Sequence, residues 1–209
     1  MTLHQVPVAN KDKVIIVGAG IGGLASSLRL SHLGYDVEVI ERANSAGGKL
    51  RTITGSTGEI DIGPTVLTLL PIFQKLFKSV GEDIFEHVDL VRQKIIARHW
   101  WPDGTSLDLY DDFETSRDAI MNFSGSSSAI EFEKYFCDTR DLFSCFDLPV
   151  MQNPRPSILD MNRAVLSNPK ILSKMHPLRT LSSLLNYRFQ DRRLRQLLGR
   201  YATYVGGSP

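Results

Sequence analysis

The sequence predicts an α/β fold. A Rossmann-like unit with a parallel sheet and a βαβ crossover comes first, then a β-hairpin, then a mainly helical segment. Three observations carry this prediction. The β-branched run KVIIVG (13–18) leads directly into a G-x-G-x-x-G turn. A stretch with helical apolar spacing and a second β-branched run, DVEVIE (36–41), complete a unit of the size expected for βαβ. Beyond Asp111, glycine-punctuated short runs give way to apolar stripes at helical spacing.

Taken in order, the first run is apolar throughout, as in a strand covered on both faces. Residues 21–33 place Leu24, Leu28, Leu30 and Leu33 on a helix, and Gly34 stands where a helix C-terminus favours glycine. From 47 to 70, Gly47, Gly48, Gly55, Gly58, Gly63 and Pro64 mark a loop-rich stretch. Two short strands are expected inside it, one after Gly48 and one at EIDIG, followed by a helix over 71–80. KIIARHWWPDGTSLDLY reads as a hairpin turning at Pro102-Asp103-Gly104. Phe132, Tyr135, Phe136, Leu142, Phe143 and Phe146 then lie on one helical stripe, and NPRPS (153–157) breaks that helix. Helices are expected near 158–165, 178–187 and 191–199, and SGSSS (124–128) reads as a surface loop.

With 209 residues, 42% of them hydrophobic and 22% charged, the chain can form a core, which argues against global disorder. A net charge of +1 gives no general attraction to nucleic acid. Cys137 and Cys145 are too far apart for a C-x-x-C redox or zinc pattern, so free thiols in a reducing compartment are expected and no metal site is. The start, MTLHQVPVANKDK, lacks a signal peptide's apolar run, and no apolar run reaches the roughly eighteen residues of a membrane span. A cytoplasmic protein, soluble or peripheral to the inner membrane, is expected.

Gly18, Gly20 and Gly23 form the G-x-G-x-x-G turn between strand and helix. The first glycine permits the tight turn, the second lets the backbone approach a pyrophosphate, and the third allows close helix–strand packing. The helix N-terminus offers oriented N–H groups to the phosphates. Glu41, at the end of the second strand, can accept from both ribose hydroxyls. Arg42 would suit a 2′-phosphate, but the adjacent carboxylate repels one, so a dinucleotide with a free 2′-hydroxyl is expected.

Soon after Glu41 comes GGKLRT (47–52), where a nicotinamide-binding chain would normally enter another helix. A glycine pair followed by Arg51-Thr52 resembles the FAD-dependent amine oxidase and carotenoid desaturase superfamily, and DIGPT (61–65) is similar to the segment that passes near its flavin. Together, GEIDIGPTVLT, ARHWWPDGTSLDLY and LGRYATYVGGSP look like bacterial carotenoid desaturases of the phytoene-desaturase type, with HWWPDG nearest the hydroxyneurosporene branch. The likeness runs from Val14 to Pro209. It implies FAD as cofactor, held by Gly18, Gly20, Ile21, Gly22, Gly23, Glu41, Arg42, Gly47, Gly48, Lys49, Arg51, Gly63, Pro64 and Thr65. It also implies an FAD-binding domain over 1–111 and an incomplete helical, substrate- or membrane-facing segment over 112–209.

The family is more than twice this length, so the resemblance reads the chain as an N-terminal fragment whose flavin pocket a missing C-terminal segment would finish. The activity implied is removal of two hydrogens from a C–C bond beside a polyene. Phytoene desaturase, another flavoenzyme of the superfamily and a non-catalytic flavin-binding chain remain as alternatives. No catalytic base is named: Asp61, His99 and Asp103 are candidates by neighbourhood, each with an ordinary structural role open to it. Trp100 and Trp101 face opposite sides of a strand, so at most one can line a given pocket. The phenylalanine stripe either lines an apolar tunnel or packs a core. Lys170–Arg200 carries eight Lys or Arg and one acid, Asp191, and forms either a membrane-facing basic surface or a solvated helical face.

Overall fold

The structure is a computed structural model that describes residues 12–64 and 66–208. By contact the chain divides into two compact units, Met1–Leu90 and Val91–Pro209.

In the first unit, β1 (Lys13–Val17) pairs in parallel with β2 (Asp36–Ile40), with Val14 opposite Val37 and Ile16 opposite Val39. The helix α1 (Ile21–His32) connects them. It starts at an extended Gly20 that supplies no side-chain cap, and it ends at Gly34, whose φ of +94° is left-handed and costs glycine little. An antiparallel pair, β3 (Thr52–Gly55) and β4 (Gly58–Asp61), comes next, then α2 (Leu70–Lys78) and a 3₁₀ turn at Ile84–Glu86. The strands expected after Gly48 and at EIDIG are thus β3 and β4.

This unit has little core of its own. Among the described residues its buried hydrophobics are Ala19 and Ile84, while Ile15, Val17 and Ile40 of the parallel pair stay 56%, 85% and 48% exposed. Strands this apolar are normally covered on both faces, and one helix cannot do that for two strands.

The second unit is built differently. The antiparallel strands β5 (Ile95–Trp100) and β6 (Ser106–Tyr110) meet at a turn where Asp103 accepts from the Thr105 backbone N–H (2.9 Å) and hydroxyl (2.6 Å). Then follow α3 (Phe113–Ser124), α4 (Ser126–Phe146), a π-helical turn (Asp147–Met151), α5 (Ile158–Ser167), a 3₁₀ turn (Pro169–Ile171) and α6 (Leu172–Met175). The unit closes with α7 (Leu181–Arg188), α8 (Arg192–Gly199) and a 3₁₀ turn (Arg200–Val205).

Leu107 and Leu109 of β6 are buried with Ile120 of α3, Phe132 of α4, Leu185 of α7 and Leu194 of α8. Each fully buried side chain of this kind contributes about 1.5–3 kcal/mol before entropy is counted. That burial explains why the hairpin, which the sequence grouped with the nucleotide-binding residues through Asp111, belongs by contact to the second unit. The phenylalanine stripe serves the same core: Phe132 is buried, Phe136 packs against it, and Phe143 at the far end is exposed.

One expected loop is absent. SGSSS is not a surface loop, because Gly125 alone separates α3 from α4 and Ser126–Ser128 form the first turn of α4. Gly125 has a φ of +89°. Ser128 is buried against the Ser124 hydroxyl (2.9 Å), which donates to Asp191 (2.6 Å) at the start of α8. Short hydroxyl side chains that find internal partners need no solvent.

Candidate dinucleotide site

Three glycine-containing segments of the first unit converge. Gly18 has a φ of +102°, and its N–H donates to the Ile40 carbonyl (2.7 Å), joining the turn to the end of β2. At Gly23 a Cβ would lie 1.9 Å from the Gly18 carbonyl oxygen, so α1 packs on the turn too tightly for any side chain. Around Gly20 the nearest atom to such a Cβ would be the Gly48 Cα at 4.0 Å, and around Gly22 nothing lies within 4 Å. The first and third glycines are therefore required by the protein itself, whereas the space above the second is open to a ligand.

The second segment is tied to the first by the Gly47 N–H, which donates to the Ala19 carbonyl (2.8 Å). Gly47 and Gly48 both have positive φ, +127° and +63°. The third segment follows β4: the Ile62 N–H donates to the Arg51 carbonyl (3.0 Å), and a Cβ on Gly63 would meet the Lys49 carbonyl oxygen at 2.0 Å. Residues 18–23, 47–51 and 62–64 thus form one construction.

Glu41 sits beside it. Its carboxylate accepts the Ala43 N–H (2.8 Å) on one oxygen and the Ala19 N–H (2.7 Å) on the other. Those two backbone donors, Ala43 first, hold its pKa below the usual glutamate range. The group is fixed and ionised, and each oxygen keeps a lone pair for a further donor such as a hydroxyl.

Two clefts open on this construction. The first, of about 720 Å³, is lined by Glu41, Arg42, Lys49, Arg51 and Pro64 among others. The second, of about 680 Å³, shares Gly48, Lys49 and Pro64 with the first and continues past Gly20 and Ile21 to Leu50, Val66, Leu67 and Phe73. Arg42, Lys49 and Arg51 make no ion pair among the described residues, so the first cleft is cationic apart from Glu41. Of the residues expected to bind a cofactor, Gly18, Gly20, Ile21, Gly23, Glu41, Arg42, Gly47, Gly48, Lys49, Arg51, Gly63 and Pro64 are brought together here. Gly22 faces a neighbouring groove lined by Ala25 and Phe73, and Thr65 lies outside the described residues. The sequence reading stopped short of Val66, Leu67 and Phe73. The apolar pattern of VLTLLPIF was the available signal, and it reads equally well as helix or strand.

Comparisons with known proteins agree with this geometry. Residues 16–82 match the NAD(P)-binding Rossmann-like domain family. A hydroxyneurosporene desaturase of Cereibacter sphaeroides is 43% identical over 197 residues, covering 94% of this chain and 40% of that protein. One from Rhodobacter capsulatus is 39% identical over 200 residues (96% and 40%). A 1-hydroxycarotenoid 3,4-desaturase of a Flavobacterium species is 30% identical over 211 residues (94% and 40%). The chain belongs to the carotenoid desaturase family. It spans about 40% of the length of these curated relatives.

The other residues that stood out in this desaturase-family sequence have structural roles in the second unit. Asp103 is committed to its turn. Trp101 donates from Nε1 to Gln196 (3.0 Å) and packs on Phe123, whereas Trp100 is 69% exposed. Both ring nitrogens of His99 are closed off from solvent without a well-formed hydrogen bond. Burial and then the Arg200 charge hold its pKa below the ordinary histidine value, weakly opposed by the Leu107 backbone. Asp61, in the first unit, stands opposite Thr52 at the end of β4 and lines neither cleft.

Proposed function

We propose that the whole protein is an FAD-dependent carotenoid desaturase of the hydroxyneurosporene, or 1-hydroxycarotenoid 3,4-desaturase, type. The observation that carries the cofactor reading is the continuity of the two clefts across Gly48 and Lys49. A polar cleft with a fixed Glu41 suits adenosine and its ribose. The second cleft, walled by Leu50, Val66, Leu67 and Phe73, suits a flat ring system. Between them, the open space at Gly20 and the uncapped start of α1 suit a pyrophosphate, with Lys49 and Arg51 as counter-charges.

Bound there, the flavin would supply a two-electron acceptor for a hydride leaving an allylic carbon. The neighbouring carbon gives up a proton to a base or to solvent, and the new double bond extends the polyene. This chain's residues bind and orient: Glu41 fixes the ribose, the glycines admit the phosphates, and the apolar wall excludes water from the ring. We further propose that the remaining length of a protein of the relatives' size covers the exposed faces of β1 and β2. The exposure of Ile15, Val17 and Ile40 supports this.

Two measurements test the reading. The full-length protein purified with FAD should carry a flavin visible spectrum that Gly20→Val abolishes. The complete gene, placed in a host that accumulates hydroxyneurosporene, should lengthen that pigment's chromophore. Retention of NAD(P) instead of flavin, or conversion of phytoene but not of the hydroxylated carotenoid, would overturn the cofactor or the substrate assignment respectively.

A further inference from the structure

The fold uses only half of the tryptophan pair of β5 and its turn. Trp101 packs against the core and donates to Gln196, whereas Trp100 is 69% exposed on the other face of the hairpin. That outward face has a definite composition. Ala97 and His99 alternate inward with Leu107 and Leu109, so Arg98 and Trp100 stand outward opposite Asp108 and Ser106. Trp100 occupies one end of the face. At the other end Ile95 lies opposite Tyr110, next to a register irregularity that leaves both Ile95 and Ile96 exposed. The face is therefore apolar at its two ends and charged at its centre.

The centre is fixed. Arg98 donates to both carboxylate oxygens of Asp108, from Nε (2.6 Å) and from Nη2 (2.7 Å). Those hydrogen bonds hold the Asp108 carboxyl below the usual aspartate range, so the pair stays ionised. Such a fork leaves a lone pair on each carboxylate oxygen and the Nη1 donors of the guanidinium for a further partner. A hydroxyl can donate to Asp108 and accept from Arg98 at once. Trp100 stands two residues from Arg98 on the same face, about 7 Å along the strand.

An aromatic plane beside a fixed donor–acceptor pair matches one end of a 1-hydroxycarotenoid. In such a molecule, oxidised at C3 and C4, only a few carbon–carbon bonds separate the hydroxyl from the start of the polyene. The polyene presents a flat π-face to an indole, and the hydroxyl then reaches the ion pair next to it. We propose that the outward face of the β5–β6 hairpin recognises the hydroxylated end of the substrate. Arg98 and Asp108 bind the hydroxyl, and Trp100 carries the adjoining polyene. The assignment rests on the 1-hydroxycarotenoid 3,4-desaturase reading. A carotenoid without the hydroxyl would strip water from the ion pair and return no hydrogen bond, so the pair selects against it.

The full-length protein tests this, with hydroxyneurosporene and neurosporene offered in competition. Wild type should prefer the hydroxylated pigment by about 100-fold or more in kcat/KM. Arg98→Met/Asp108→Leu removes both charges together, so neither is left unpaired, and should bring that ratio below about ten-fold. Trp100→Ala should raise KM for both pigments about ten-fold with the ratio retained, and Trp100→Phe should restore most of the loss. Binding of each pigment to FAD-free protein from detergent micelles, read by visible absorption, should follow the same order. Unaltered circular dichroism verifies that each variant folds. A preference that is missing in wild type or survives Arg98→Met/Asp108→Leu would overturn the proposal, as would an unchanged KM in Trp100→Ala. So would a Trp100→Ala variant that lowers the melting temperature or dissociates a dimer, since the rest of the protein or a second copy would then cover the face. Pigment binding that discriminates through these residues in a protein without desaturase activity would support the face and remove the desaturase reading.

Discussion

Gly23→Ala tests the reading that the third glycine of the turn serves packing rather than the ligand. The added methyl would lie 1.9 Å from the Gly18 carbonyl oxygen, 3.1 Å from its carbon and 3.4 Å from Ile16 Cγ2. Real Cβ atoms stay beyond 3.0 Å, so the start of α1 must retreat by about 1.1 Å from a turn already fixed by the Gly18–Ile40 hydrogen bond. Overpacking of this kind costs about 1–3 kcal/mol, offset by at most about 1 kcal/mol of alanine's helix propensity. A net loss of about 1–2 kcal/mol remains, roughly 5- to 30-fold in the local opening equilibrium. Gly22→Ala is the internal control: nothing lies within 4 Å of its Cβ, so it should be neutral or stabilising by up to about 1 kcal/mol. Hydrogen-exchange mass spectrometry of peptides covering β1 and α1 reads both variants within the first unit. Wild-type protection in Gly23→Ala, or equal damage from Gly22→Ala, would refute the packing argument.

One histidine and two tryptophans of β5 and its turn give further predictions for the second unit. Because His99 has a folded pKa below its unfolded value of about 6.5, its neutral form is favoured by folding; stability should hold above that pH and fall as the pH drops below it. Replacing His99 by Leu should flatten that slope in urea titrations at several pH values, and a slope unchanged in the variant would exclude His99 as its source. Trp101→Ala should cost about 3–5 kcal/mol through lost core packing and the Gln196 bond, whereas exposed Trp100→Ala should stay within about 0.5 kcal/mol. Equal effects of the two in thermal denaturation would contradict the assigned facing of the strand.

Much of the nucleotide-binding unit was legible in the sequence because its requirements are local. A β-branched run, three glycines at fixed offsets and an acid at the end of the next strand each act on their own neighbourhood. In the structure Glu41 accepts the Ala19 and Ala43 N–H groups, which sets it beside the glycine turn. Less was legible where the outcome depended on distant partners. SGSSS looked like a solvated loop until Asp191, far along the chain, supplied an acceptor for Ser124. The tandem tryptophans were known to face opposite ways, but only Gln196 and Phe123 decided which of them faces in.

The same division holds at the surfaces. By itself the sequence determined a parallel βαβ start, a glycine-built strand–helix turn and a helical second half, since turn geometry and side-chain periodicity are properties of short segments. It also determined that cations are abundant between Lys170 and Arg200. Only the tertiary structure decided that Arg188 and Arg193 are spent on Asp138 and Asp191. A charge or an apolar side chain is available to a partner only after the fold has used those it needs, and that choice is made by contacts between residues far apart in the chain.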